Sequence, residues 1–385
     1  MATPKITFFP VGNGDMKFLE LESGSRILVD INIRQVGEGV RDVAKDLRDR
    51  LTSDENGRPY VDAMVLSHPD QDHCRGLEEH FHLGPLSEYD DKAKTKKIVI
   101  REMWSSPIIF RRASVNHTLS PDAKAWAKEA RRRVKLFKDN GIGENGNRIL
   151  VLGEDIDGKT DSLEEILFRP GDSVTEIAGK AQTNFSALLL APLIATDIDD
   201  EKELTKNESS VIFNYCVGVG KVADAVHFLS GGDAEVLIWE HLWNTHKSNP
   251  SVLEYDLLCA PHHCSWHSLS YDSWSEKGRK AVVSKDARNA LAQAHDGACI
   301  VASSNEIKDD DVDPPCIRAK EEYESILKDV TGEFYNTACY PDAKEPEPLV
   351  FEVTAGGLGK PTKKAAKGTA SAAIATFASQ PRVHG

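Results

Sequence analysis

Little in this sequence favours life outside a reducing cell. Its seven cysteines are odd in number, scattered, and never spaced as CxxC. That pattern excludes a disulfide scaffold and a cysteine-built zinc knuckle, and makes the cytoplasm the expected compartment. No apolar run approaches the roughly 20 residues of a membrane span. The opening residues, Met1 to Lys5, lack the basic stretch and apolar core of a secretory leader, so none is expected. Positive charge is scarce too: 47 Lys plus Arg stand against 61 Asp plus Glu, a formal charge of −14. This balance argues against a protein whose main task is to coat nucleic acid through a broad positive field. Aromatic residues make up only 7%, and they seldom interleave with cations as a single-strand stacking track requires. Trp104 and Phe110, close to Arg111-Arg112, are the exception.

What is present describes a globular chain with ample core. Its 385 residues, 40% hydrophobic and 28% charged, suit one large domain or two. Short β-rich runs at 5–12, 15–21 and 26–30 are separated by Gly-containing turns. Val40, Val43, Ala44, Leu47 and Leu51 fall at helical spacing. Ser120-Pro121 opens a second helix, with Ser as N-cap and Pro at the first helical position. The run Arg131-Arg132-Arg133 within it reads as a solvated face. Residues 141–180, rich in Gly and Asp, read as inserted loops. Strands are expected again at 187–190, 211–215, 225–229, 256–260, 298–302 and 349–353, with helices at 234–243 and 318–329. The expected organisation is one domain over 1–356 with an insertion at about 84–180, followed by a flexible basic tail over 357–385. Alternating strands and helices predict a layered α/β fold.

The polar clusters share one placement: each follows a predicted strand. That is where an α/β sheet gathers its site residues. The densest is His68-Pro69-Asp70-Gln71-Asp72-His73, with four potential metal ligands in six residues. Imidazole nitrogen and carboxylate oxygen are the usual donors for zinc, manganese and iron. A helix would spread these positions around its circumference, and a strand would split neighbours onto opposite faces. A loop, which Pro69 favours, can wrap them around one centre. Asp233, after Ser230-Gly231-Gly232, and the pair His262-His263, after Pro261, repeat the arrangement.

These residues carry a resemblance. The His68-to-His73 motif is similar to the HxHxDH signature of the metallo-β-lactamase superfamily, with Asp70 where the second His usually stands. The HxDxDH form resembles ComEC-type domains and their stand-alone relatives. Other pieces follow in the family's order: Val11-Gly12-Asn13-Gly14-Asp15 resembles VGQGD, Ile27-Leu28-Val29-Asp30 resembles the LIDTG strand, Asn207-Glu208-Ser209-Ser210 resembles the N-x-S segment, Leu229-Ser230-Gly231-Gly232-Asp233 resembles LLTGD, and Pro261-His262-His263-Cys264-Ser265 resembles PHHGS. Matches span roughly 6–303.

The resemblance implies a four-layer αββα sandwich and a centre of one or two divalent ions, zinc or manganese. Carried across by position, His68 and Asp70 would bind the first ion and Asp72 and His73 the second. Asp233 would bridge them, and either His262 or His263 would complete the second site. Asp15 and Asp30 would orient ligands and loops. The ligand histidine that many members carry before the Asp233 motif has no obvious counterpart, since His117 sits in a basic loop and His227 inside a strand. Cys264 replaces the glycine of PHHGS and is expected as a small packed residue.

Two ions about 3.5–4 Å apart can generate a hydroxide at neutral pH and clamp the oxygens of a displacement. Asp72 and Asp233 are the residues expected to orient that nucleophile. The resemblance implies a phosphodiesterase or nuclease acting on a short or single-stranded nucleic acid or a small phosphodiester. Two other readings stay open: a hydrolase of lactones, thioesters or lactams, and a non-catalytic member of the fold working with a protein partner. Basic runs at 92–97, 111–112, 131–133 and 360–367 could guide a phosphate chain, although each equally suits a solvated surface.

Overall fold

The computed structural model describes residues 2–193, 204 and 206–361, the side chains of 114–116 excepted. Two mixed sheets dominate. The first runs, in spatial order, Leu167–Phe168, Arg148–Leu152, Ile98–Ser105, Pro59–Val65, Arg26–Val29, Lys17–Glu20, Lys5–Phe8, Leu349–Thr354 and Gly357–Gly359. The second runs Ser173–Val174, Phe185–Ala191, Ile212–Val219, Val222–Ser230, Tyr255–Cys259, Ala294–Ala302 and Glu333–Asn336. Each sheet has an antiparallel meander and a parallel half. In the first, pairing is parallel from Arg26–Val29 outward through Pro59–Val65, Ile98–Ser105 and Arg148–Leu152. In the second it is parallel from Val222–Ser230 through Tyr255–Cys259 and Ala294–Ala302 to Glu333–Asn336.

The sheets face each other across a common core. Phe8 of the first meets Phe228 of the second edge-on at 5.6 Å, and Trp104 meets Phe213 at 5.7 Å. Each such pair adds about 0.5–1.5 kcal/mol beyond area burial. Side chains alternate across a strand, so Ser105 points away from the face that Trp104 presents to the second sheet. There it accepts the indole N–H of Trp126 at 2.9 Å, docking the helix Pro121–Asn140 on the outer face. That helix starts as its sequence predicts, with the Ser120 hydroxyl accepting from Ala123 N–H and Pro121 in the first turn. On the far side, Trp239, Leu291 and Tyr323 from the helices Val236–His246, Lys285–Leu291 and Ile317–Asp329 pack with Leu229, Leu258 and Ile300. The layer order is therefore helix, sheet, sheet, helix: the αββα sandwich that the metallo-β-lactamase resemblance implies.

Three expectations change. Residues 141–180 are more than loops, because Arg148–Leu152 and Leu167–Phe168 extend the first sheet and Ser173–Val174 opens the second. Arg133 is not solvated: it is 1% exposed and bound to Glu129 and to the carbonyls of Arg148 and Ile100. Gly357–Gly359 pairs with Leu349–Thr354 as an edge strand, so the expected tail is structured at its start, and 362–385 lie outside the described residues. Among the described residues no helix is long and apolar enough to cross a membrane.

Candidate metal centre

The two parallel halves point their carboxyl ends at one rim. Asp30 follows Arg26–Val29, Ser67-His68 follows Pro59–Val65, Asp233 follows Val222–Ser230, and His262-His263 follows Tyr255–Cys259. Glycines let these loops close on one another. A Cβ on Gly14, at φ +147°, would stand 2.1 Å from Asn32 Nδ2 and 2.8 Å from the carbonyl of Asp72. Asp15 N–H donates to that same carbonyl at 3.1 Å, which ties the GNGD turn to the His68–His73 loop. His262, His263 and Cys264 all have left-handed backbone, with φ of 50°, 54° and 68°. The turn is held by His262 N–H donating to Gly232 O at 2.9 Å. Three successive non-glycine residues in this region cost about 1–2 kcal/mol each, a strain that the surrounding contacts must offset.

Asp233 stands at the middle, and its two oxygens face different partners. Oδ1 lies 2.9 Å from His73 Nε2 and 3.5 Å from His263 Nε2. Asp72 Oδ2 completes this first group, 3.4 Å from His263 Nε2. Oδ2 of Asp233 lies 3.8 Å from His262 Nε2 and 4.0 Å from His68 Nδ1. Both nitrogens of His68 and of His263, Nε2 of His73 and Oδ1 of Asp233 are buried with no hydrogen-bond partner. Buried polar atoms are almost always paired, so six orphaned atoms at one rim require a common explanation.

A cation accounts for those that converge on Asp233, one nitrogen from each histidine ring together with Asp233 Oδ1. Asp30 Oδ2 lies 3.2 Å from His73 Nδ1, and a carboxylate only accepts, so Nδ1 carries the proton. That leaves Nε2 facing Asp233 Oδ1 out of hydrogen-bond alignment. Two lone pairs so placed need a positive charge between them. Ligands about 2.1 Å from a tetrahedral ion stand about 3.4 Å apart, which matches the separations of His263 from Asp72 and Asp233. Side chains of His68, His73 and Asp233, and of Asp72, His73 and His263, form groups able to hold a metal ion. The donor set fits zinc or manganese.

Charge states follow the same geometry. Burial opposes a charged His73, yet the Asp233 and Asp30 carboxylates carry it well above the ordinary imidazole range. His263 is raised likewise, against its burial, by Asp233 and Asp72. His68 is the opposite: burial pushes it down to about 4 against Asp233 and Asp70, so it is neutral at neutral pH. Burial works against ionised Asp72 and Asp233, but the neighbouring histidines hold both below the ordinary carboxylate range.

Of the seven metal ligands expected from sequence, the structure groups His68, Asp72, His73, Asp233 and His263. It puts His263, rather than His262, against Asp72. Asp70 Oδ2 lies 3.9 Å from His68 Nδ1, outside the close groups, and is bound by the ammonium of Lys206. Asp30 accepts from Ser67 N–H and Oγ–H at 2.7 and 2.5 Å as well as facing His73. Asp15 pairs with Lys17 at 2.6 Å. Cys264 is fully buried, and burial raises its thiol well above the usual range, so it stays protonated and inert. His117 is exposed at a helix end, and the His227 ring lies 5.9 Å from that of His295, apart from this centre.

Sequence reasoning missed Lys17 and Lys206. Lys17 is completely buried between Asp15 and Asp30, whose charges outweigh its desolvation and raise its pKa. The flanking aspartates were its only signal. Lys206 had none beyond its place just before the Asn207 turn.

No protein-family model and no curated protein sequence matches this chain. Among solved structures it is similar to a mutant of the CmlA beta-hydroxylase, with 10% identity and a TM-score of 0.39 over 92% of this chain. The match covers 55% of that chain, so this protein spans about half its length. At that level the likeness assigns no activity.

Proposed function

We propose that this protein is a metal-dependent hydrolase of phosphodiesters, acting on a short or single-stranded nucleic acid or a small phosphodiester with zinc or manganese. The observation that carries the reading is the set of orphaned buried donor atoms converging on Asp233. The order of the HxDxDH, SGGD and PHHCS motifs supports a ComEC-type member. A divalent ion held by Asp72, His73, Asp233 and His263 would supply Lewis acidity and lower the pKa of bound water toward about 7.

The chain's own residues divide the remaining work. Asp30 fixes the proton on His73 Nδ1 and so keeps Nε2 a donor atom. Asp72, partly open to solvent, is placed to accept a proton and to orient the attacking water. Asp233, central and buried, sets the spacing of the two halves of the site.

Charge supports an anionic substrate. Alongside the helix Pro121–Asn140 lies a cleft of about 730 Å³, lined by six cations, Arg111, Lys124, Arg131, Lys135, Lys138 and Lys159, and by the carboxylates Asp139 and Asp155, with none of the candidate metal ligands in its lining. Its floor includes Ser105 and Leu119, and the next residue, Ser120, reaches Cys74 of the ligand loop at 3.6 Å. Arg111 pairs with Asp155 and Lys135 with Asp139, and the cations left over give a local excess of positive charge, in a chain of net charge −14, that would draw anions to this cleft. It suits a phosphate chain better than a neutral lactone.

The test is hydrolysis by the manganese- and zinc-loaded protein of bis-p-nitrophenyl phosphate, single-stranded DNA and a lactone and thioester panel, with Asp72→Ala in parallel. Phosphodiester cleavage lost in Asp72→Ala is expected. Cleavage confined to lactones or thioesters, or an Asp72→Ala variant as active as wild type, overturns the reading. Metal content well below one equivalent would favour a non-catalytic partner protein.

A further inference from the structure

The two sides of Asp233 are not equivalent. On one side, His73 and His263 stand 2.9 and 3.5 Å from Oδ1, and Asp72 stands 3.4 Å from His263. On the other, His68 and His262 stand 4.0 and 3.8 Å from Oδ2, and Asp70 lies 3.9 Å from His68. Asp70 is the carboxylate nearest His68 on this side besides Asp233, and the Lys206 ammonium binds it, while Glu235, 3.7 Å from His262, accepts from Asn207.

Lys206 is fixed there by backbone. It begins the turn Asn207–Ser209. Just beyond the turn, Ser210 Oγ accepts from Asp233 N–H at 3.1 Å, and Val211 N–H donates to Ser67 O at 2.9 Å. Asn207 Nδ2 donates to Glu235 Oε1 at 2.7 Å. The segment carrying Lys206 is thus stitched to both ligand loops, one from each sheet.

We propose that Lys206 is the resident cation of the His68–Asp70 side, so that this chain holds a single metal ion at Asp72, His73, Asp233 and His263. The inference rests on the metal-centre reading and deepens it. An ammonium is a compact charge with three donors, one of which Asp70 engages. The other two would meet a substrate phosphoryl oxygen from the side that a second ion would otherwise occupy. A second divalent ion is disfavoured there, because Asp70 is engaged by Lys206 and that ammonium places a positive charge beside the site.

The experiment is metal titration of the metal-free full chain with Mn(II), by calorimetry and elemental analysis, together with electron paramagnetic resonance of the loaded protein. Wild type is compared with Lys206→Met, which keeps length without charge, and Lys206→His, which supplies an imidazole. Wild type is expected to take one equivalent and give the hyperfine pattern of an isolated Mn(II). Lys206→His is expected to take a second ion about 10–100-fold more tightly than wild type and to show the denser pattern of a coupled pair. Lys206→Met should show a smaller gain. Two equivalents in wild type, or one equivalent in all three proteins, overturns the role of Lys206 and leaves the metal centre standing. No binding by wild type overturns both.

Discussion

Under the helix Pro121–Asn140, Glu129, Arg132 and Arg133 form a buried charged cluster that closes on itself; at the rim between the sheets, His68, His73, Asp233 and His263 form one that does not. Glu129 Oε1 accepts from Arg132 and Arg133 at 2.6 and 2.8 Å, and Oε2 accepts from Arg132 Nε at 2.8 Å and Gly84 N–H at 3.0 Å. Arg133 spends its remaining donors on the carbonyls of Arg148 and Ile100. Close by, Glu102 accepts from Arg148 Nε and Trp104 Nε1. None of these atoms is left without a partner. At the rim, six comparable atoms are. Burial of charge therefore does not mark a site by itself. Burial with ligand atoms converging on one another does, because such an arrangement gains its stability from a positive charge placed among them.

The comparison can be broken from either end. Asp233→Asn keeps the shape and the backbone bond to Ser210 but removes the shared carboxylate. Phosphodiester cleavage by the metal-loaded protein should fall about 10³-fold, with circular dichroism retained; equal activity would show that the orphaned atoms are not a metal centre. Glu129→Ala should do the reverse. It leaves Arg133 buried and unpaired, at a cost of about 3 kcal/mol in denaturant unfolding, while metal stoichiometry stays unchanged. That cost sits at the low end for such pairs because two carbonyls still hold the guanidinium.

A pH series separates the clusters further. Burial would raise the Glu129 pKa, but Arg132 and Arg133 hold it below the ordinary carboxylate value. The unfolded chain therefore takes up this proton at higher pH than the folded one. Its stabilisation is complete above the ordinary value of 4.5 and is lost as pH falls through the lowered folded value. Urea midpoints for wild type and Glu129→Gln should converge over that acid range; parallel curves would contradict the assignment. Smallest is Cys264→Gly. Relief of left-handed strain at φ 68° and loss of a buried thiol are each about 1–2 kcal/mol and opposite in sign. The melting midpoint should move by less than about 1 kcal/mol equivalent.

Legibility from sequence followed chain proximity. The His68-to-His73 loop could be read because its four candidates are neighbours and their spacing suits only a loop. Asp233 and His263 could be read because each follows a β-rich run that ends in a glycine or proline turn. The choice between His262 and His263 could not, since it depends on which residue of a left-handed turn swings toward Asp72. The partner of Asp70 could not be read for the same reason: Lys206 comes from a distant polar segment. Arg133 read as solvated because a run of three arginines usually is, although Glu129 four residues earlier on the same helix face was the available signal. Arg148–Leu152 was hidden by the glycines and aspartates on either side, which outweighed a five-residue β-prone core.

The ligand loops hang from different sheets, and this makes the rim a seam. His73 and Asp72 arrive from the first sheet, Asp233 and His263 from the second, and without an ion the contacts among these side chains depend on protons. A bound cation would act as a rivet across the sandwich, opposing the sliding of one sheet over the other. Loss of the ion by chelation would then be felt first as a loosening between the layers, registered by hydrogen exchange along the carboxyl ends of both parallel halves before either outer helical layer responds.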